Sequence, residues 1–111
     1  MNPQKSTSAT GHERGDFKEL ADKLEPKLKI ISNFKIGKTG QSIEERYNQE
    51  YSDKYDYYEV VSYSPNTETI GKFEEYLIDR FQNFTNCDNV QVGGGEMTVS
   101  DEYIVYIVYN K

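Results

Sequence analysis

The sequence predicts a small α+β domain: a mostly antiparallel β-sheet flanked by helices. Three observations carry this. Apolar residues recur at helical spacing in some stretches and alternate, or run unbroken, in others. The strand-like stretches are short and bounded by Gly, Pro, Asn or Asp. A chain of 111 residues is long enough for one modest core and too short for two. Only 35% of the residues are hydrophobic, but ten Tyr and five Phe raise the surface each buried position removes from water.

Residues 1–15 are polar, with no apolar periodicity, and read as a disordered tail; residues 16–111 read as a single domain. Asp16 caps a short helix in which Phe17, Leu20, Ala21 and Leu24 form one stripe, and Pro26 ends it. From Leu28 to Ile36 the odd–even pattern predicts a strand, whole or broken near Ser32–Asn33, with Leu28, Ile30, Phe34 and Ile36 on one face. Gly37 closes it. After a polar loop, "SIEE" is a capping box that starts a helix at Ile43 and places Arg46 one turn in. "YYEVVSYS" is a strand with Tyr57, Glu59, Val61 and Tyr63 on one face. A helix follows over about Glu68–Phe84, its core face formed by Ile70, Phe73, Leu77, Ile78, Phe81 and Phe84. A long loop containing Gly93, Gly94 and Gly95 leads to "EYIVYIVYN", which is apolar on both faces and suits an interior strand.

The composition narrows the function. A formal charge of −6 argues against binding that rests on non-specific attraction to phosphates. One Cys and one His make a zinc site a poor fit, so a metal would be held by carboxylate oxygens and water, as magnesium is. The lone Cys87 suits a reducing, cytoplasmic setting, and no run is apolar enough for a signal peptide or membrane span.

Two residues stand out chemically. Glu74 falls within an apolar helical stripe, four after Ile70 and four before Ile78, where a carboxylate is costly unless paired, hydrogen-bonded or bound to a metal. It is either a flank residue reaching water or a lysine, or a metal ligand at a cleft wall. Arg46 follows a strand and loop on a capped helix, where it either grips a phosphate or pairs along the helix with Glu50. Lys35, Lys38 and Arg46 make the densest local run of positive charge, and neither "GKTG" nor "GGGE" is a Walker phosphate loop.

"KIGKTGQSIEER" followed by "FEEYLIDRF" resembles the second half of a GIY-YIG nuclease. In that family a strand ending in "YIG" or "KIG" precedes a helix that carries an arginine, and a later helix carries "ExxLI". Gly37, Arg46 and Glu74 fall on those marks, and "GGGEM" at 93–97 is similar to a closing segment of some viral-type members. The likeness covers residues 33–97. It implies endonucleolytic, metal-dependent hydrolysis of phosphodiesters, with DNA as substrate, Glu74 holding Mg2+ (or Mn2+), Arg46 stabilising phosphate charge, and Gly37, Lys38 and Thr39 at the substrate.

The chain departs from the pattern in two places. Lys35 stands where the "YIG" tyrosine belongs, and no tyrosine precedes Tyr47 to supply "GIY". Either the first strand is lost, or the C-terminal "IVYIVYN", which resembles "GIYxIxN", supplies it in permuted order with Tyr106 as the catalytic tyrosine beside Lys35–Gly37. Loss would leave a catalytically inactive scaffold that binds a protein partner, including through an acidic face that imitates nucleic acid.

Overall fold

Leu24 and Leu28 decide where the first helix ends. In the computed structural model, which describes residues 17–89, 97 and 99–111 together with the backbone of Gln4–Lys5, helix α1 spans Phe17–Ile30 and carries Pro26 inside it. This corrects both the stop expected at Pro26 and the strand expected from Leu28. Leu20, Ala21, Leu24 and Leu28 are buried, so the helical stripe continues a turn past the proline. Ile30, which the strand reading placed on the same face, is 82% exposed. A proline inside a helix costs roughly 3 kcal/mol, and burying Leu28 and Ile31 at about 1.5–3 kcal/mol each offsets it. Asn86 Nδ2 then donates to the carbonyls of Leu28 (2.8 Å) and Ile31 (3.0 Å), satisfying acceptors that the helix end leaves open. The Asp16 cap and most of the expected tail lie outside the described residues. Within that stretch Gln4–Lys5 form a two-residue strand, β1.

The other strands are β2 (Asn33–Thr39), β3 (Tyr57–Ser64) and β4 (Tyr103–Asn110), in the sheet order β1-β3-β4-β2. β4 runs antiparallel to both neighbours, and β1 pairs parallel with Tyr57 and Tyr58. The last strand in the sequence is therefore interior, as its two apolar faces predict. The outer edge of β2 is covered by residues 86–89: Phe34 N–H donates to Asn86 O (3.0 Å), Asp88 N–H to Phe34 O (2.8 Å), and Asn89 exchanges two bonds with the backbone of Ile36.

Helix α2 spans Ile43–Glu50, starting where the capping box predicts. Ser42 Oγ accepts from Glu45 N–H at 3.2 Å, while the Ser42 hydroxyl donates to the Glu45 carboxylate at 3.1 Å. Helix α3 spans Thr67–Phe81 and is capped by Asn66, whose side chain accepts from Glu68 and Thr69. Phe84, expected inside α3, lies beyond it, yet its ring still packs edge-on against Phe81 and Phe34.

α1 and α3 cover one face of the sheet, meeting Phe34 and Ile36 of β2, Val61 of β3 and Tyr103, Val105, Ile107 and Tyr109 of β4. α2 and the turn after it cover the other, where Ile43, Tyr47, Tyr51 and Tyr55 pack on Tyr58, Ile104, Tyr106 and Val108. β3 does not keep one alternation. A bulge between Val60 and Ser62 shifts the register, so Tyr63 packs on the α2 side rather than sharing the face of Val61.

Candidate functional site

Tyr106 occupies the middle of β4, with Gly37 of β2 and Val60 of β3 as its cross-strand partners. Its ring lies across Gly37: a Cβ there would fall on the Tyr106 ring and hydroxyl, inside any van der Waals contact. Glycine is required by this close approach. The ring is only 1% exposed, and its hydroxyl meets Arg46 Nε at 3.3 Å and the Tyr51 hydroxyl at 3.1 Å. Arg46 also pairs with Glu50 at 3.2 Å, one turn along α2. Lys35 lies two positions before Gly37 on the same face, its Nζ 5.8 Å from the Tyr51 ring centre. The structure thus brings Gly37, Arg46 and Tyr106 together, with Lys35 on the same face of the sheet.

Electrostatics set what these groups can do. Burial, followed by the neighbouring Tyr51, pushes the Tyr106 phenol far above its usual range, and Arg46 only partly counteracts this. Tyr106 is therefore a protonated hydrogen-bonding group at neutral pH rather than a base. For Arg46, burial works against the charge, but Tyr106, Glu50 and Tyr51 outweigh it and the guanidinium pKa is raised. The result is a permanently charged, partly exposed guanidinium, held at Nε by a phenol and at one terminal nitrogen by a carboxylate. Its remaining N–H donors suit a tetrahedral oxyanion.

Glu74 and Lys38 form a second group on the opposite face. Lys38 pairs across the sheet with Val105, on the side covered by α1 and α3, and its Nζ lies 3.8 Å from Glu74 Oε1. Glu74 is 5% exposed on the inner face of α3. Burial, only partly opposed by Lys38, raises its pKa. Its Oε1 is buried with no hydrogen-bond donor. Arg46 and Tyr106 touch, but the sheet separates both from Glu74, so the expectation that Arg46, Glu74 and a tyrosine converge on one cleft is not met. Lys38 takes the face of Phe34 and Ile36 because β2 continues through Gly37 to Thr39, which corrects the expectation that Gly37 closes the strand.

Thr39 is buried, and its Oγ1 accepts from Gln41 N–H at 3.0 Å, so it shapes the turn after β2. Next to that turn, an open groove of about 400 Å³ runs between Ser42–Ile43 and the residues Val60, Tyr63 and Ile104. Arg46, Tyr106 and Glu74 do not line it. Gly93, Gly94, Gly95 and Glu96 lie outside the described residues.

Tyr51 is the site residue that the sequence reading passed over. Its signal was present: Tyr47, Tyr51 and Tyr55 recur every four residues and face inward together. Tyr47 donates to the Tyr55 carbonyl, and Tyr55 donates to Asp88 Oδ2 at 2.7 Å, so this turn is fixed against the sheet edge.

Among the described residues no three His, Cys, Asp or Glu side chains cluster as a metal site, and no helix is long and apolar enough to cross a membrane. No protein-family model, curated protein or solved structure matches the chain.

Proposed function

We propose that the chain is a small nuclease-like domain that hydrolyses phosphodiester bonds of nucleic acid with a divalent cation assisting. The observation that carries this reading is the contact between Arg46 Nε and the Tyr106 hydroxyl over Gly37. It joins the two ends of the resemblance through a strand that arrives last in the sequence and lies beside Lys35–Gly37.

In this reading Arg46 binds the phosphate and offsets the charge that develops on it. Tyr106 acts on Arg46, holding the guanidinium plane, and Lys35 adds a second positive charge on the same face. Glu74 fits a hard cation in one respect: its buried Oε1 lacks a donor. Mg2+ or Mn2+ there would have one protein oxygen and otherwise water, since the sheet lies between Glu74 and the phosphate at Arg46. When bound, the ion supplies Lewis-acid polarisation and an activated water. DNA is the substrate class that the resemblance implies.

A second reading has its own observation. The sheet lies between Glu74 and Arg46, and an ammonium already stands against Glu74. This supports a catalytically inactive scaffold that works by binding a protein partner through its acidic surface.

A plasmid-nicking assay with Mg2+ or Mn2+ separates the two. Hydrolysis predicts nicking by the wild type and losses of at least about a hundredfold (2.7 kcal/mol) in both Arg46→Ala and Glu74→Ala. No nicking by folded wild type with either metal overturns it in favour of the binding scaffold.

A further inference from the structure

We propose that Tyr51 is a positioning residue for Arg46: it accepts the Tyr106 hydroxyl proton, which keeps the Tyr106 oxygen turned to Arg46 and the guanidinium in place. The inference rests on the reading of Arg46 as the phosphate-binding group and names a residue through which that group is held.

The direction of the contacts carries it. An arginine Nε–H can only donate, so in the 3.3 Å contact with Arg46 the Tyr106 oxygen is the acceptor. The Tyr51 and Tyr106 hydroxyls lie 3.1 Å apart, a distance that lets either one donate. Burial decides between them. Were Tyr51 the donor, the Tyr106 proton would have no acceptor among the described residues, on a side chain only 1% exposed. With Tyr106 as donor, the proton left over belongs to Tyr51, the less buried of the two at 7%. The more deeply buried unmet donor is the costlier one. The order is therefore Arg46 Nε–H to Tyr106, and Tyr106 O–H to Tyr51. It needs a protonated Tyr106, and burial keeps that phenol protonated.

Tyr51 is itself fixed by its own turn. Its N–H donates to the Tyr47 carbonyl and its carbonyl accepts from Tyr55 N–H, each at 2.9 Å. The Tyr55 ring meets the Tyr51 ring edge-on, 5.9 Å between centres, and Tyr55 is tied to Asp88. Arg46 stands on α2 and the acceptor for Tyr106 stands on the turn after it. Without the Tyr51 oxygen, the Tyr106 hydroxyl is free to turn its proton against Arg46 Nε–H. Bonds in such a chain polarise one another, so losing the outer one weakens the inner one.

The test is the exchange of the Arg46 Nε–H proton with water, followed by heteronuclear NMR on wild type, Tyr51→Phe, Tyr106→Phe and the double variant. The positioning role predicts exchange at least about tenfold faster in Tyr51→Phe, with the backbone amides of β4 unchanged. The double variant then exchanges no faster than Tyr106→Phe alone, because Tyr51 acts through Tyr106. Exchange at the wild-type rate in Tyr51→Phe overturns the proposal. So does an acceleration that the β4 amides share, which marks a hydroxyl serving the fold alone. Should Tyr51→Phe unfold, the wild type decides: the proposed order predicts a slowly exchanging Tyr106 hydroxyl proton, and a slowly exchanging Tyr51 hydroxyl proton in its place overturns it. Nicking by the same preparations keeps the two questions apart. Faster Arg46 exchange in Tyr51→Phe with no nicking by wild type retains the positioning role and ends the hydrolysis reading.

Discussion

Gly37 and Tyr106 are 69 residues apart in the chain and face each other in the sheet. Each was visible in the sequence, Gly37 as the end of a strand and Tyr106 within an apolar run. Their meeting was open to argument because an interior strand must lie beside its neighbours. The surroundings of Tyr106 were not: Tyr51 reaches it from the turn after α2, and no pattern in the sequence says how that turn folds back. Gly37→Ala should destabilise the chain by about 1–3 kcal/mol, since the added methyl must push the Tyr106 ring off its position. A lower urea midpoint with an unchanged slope would show this, and an unchanged midpoint would mean that the ring does not lie over Gly37. Glu74 teaches the reverse lesson. Its burial could be read from helical spacing, but its partner Lys38 could not, because the strand was expected to close at Gly37 and instead runs on to Thr39.

Among the elements, α2, α3 and β4 were legible because cap, stripe and two-sided apolarity each agree with the tertiary structure. α1 was misread because Leu28, Ile30, Phe34 and Ile36 alternate like a strand, while Leu24 and Leu28 are also spaced like a helix. Packing chose the helix, at the cost of enclosing Pro26. Pro26→Ala restores the missing donor and removes the ring clash, so it should raise stability by about 1–3 kcal/mol. A higher Tm in calorimetry is the expected result; a lower one would show that Pro26 serves the fold in some other way. β3 was misread for a different reason. A bulge adds one residue against β4 and moves Tyr63 to the opposite face from the one its parity predicts, and "VVS" carries no glycine to announce it.

At the scale of the molecule, the acidic balance is partly organised into ion pairs. Arg80 of α3 reaches Asp22 (2.6 Å) and Glu25 (2.8 Å) of α1, and Lys18 meets Asp22 at 2.9 Å. The hydrogen bond from Lys18, then that from Arg80, lowers the Asp22 pKa; for Glu25, Arg80 leads and Lys29 follows. Carboxylates with lowered folded pKa values stabilise the fold above their ordinary values of 3.8 and 4.5 and lose that contribution as pH falls through the folded ones. Arg80→Met should therefore flatten the acid limb of a stability–pH curve below about pH 4 and change little of its shape near neutrality. An identical acid limb in both proteins would show that the bridge is not formed in solution. The arrangement of the sheet also has a consequence in time. β2 and β3 are made first but do not pair with each other; both pair with β4, which is made after them. As the chain emerges, two strands wait with open ladders for residues 103–110 to slot between them. Such long-range closure is slow, and the half-made sheet is the form most exposed to pairing with a stranger.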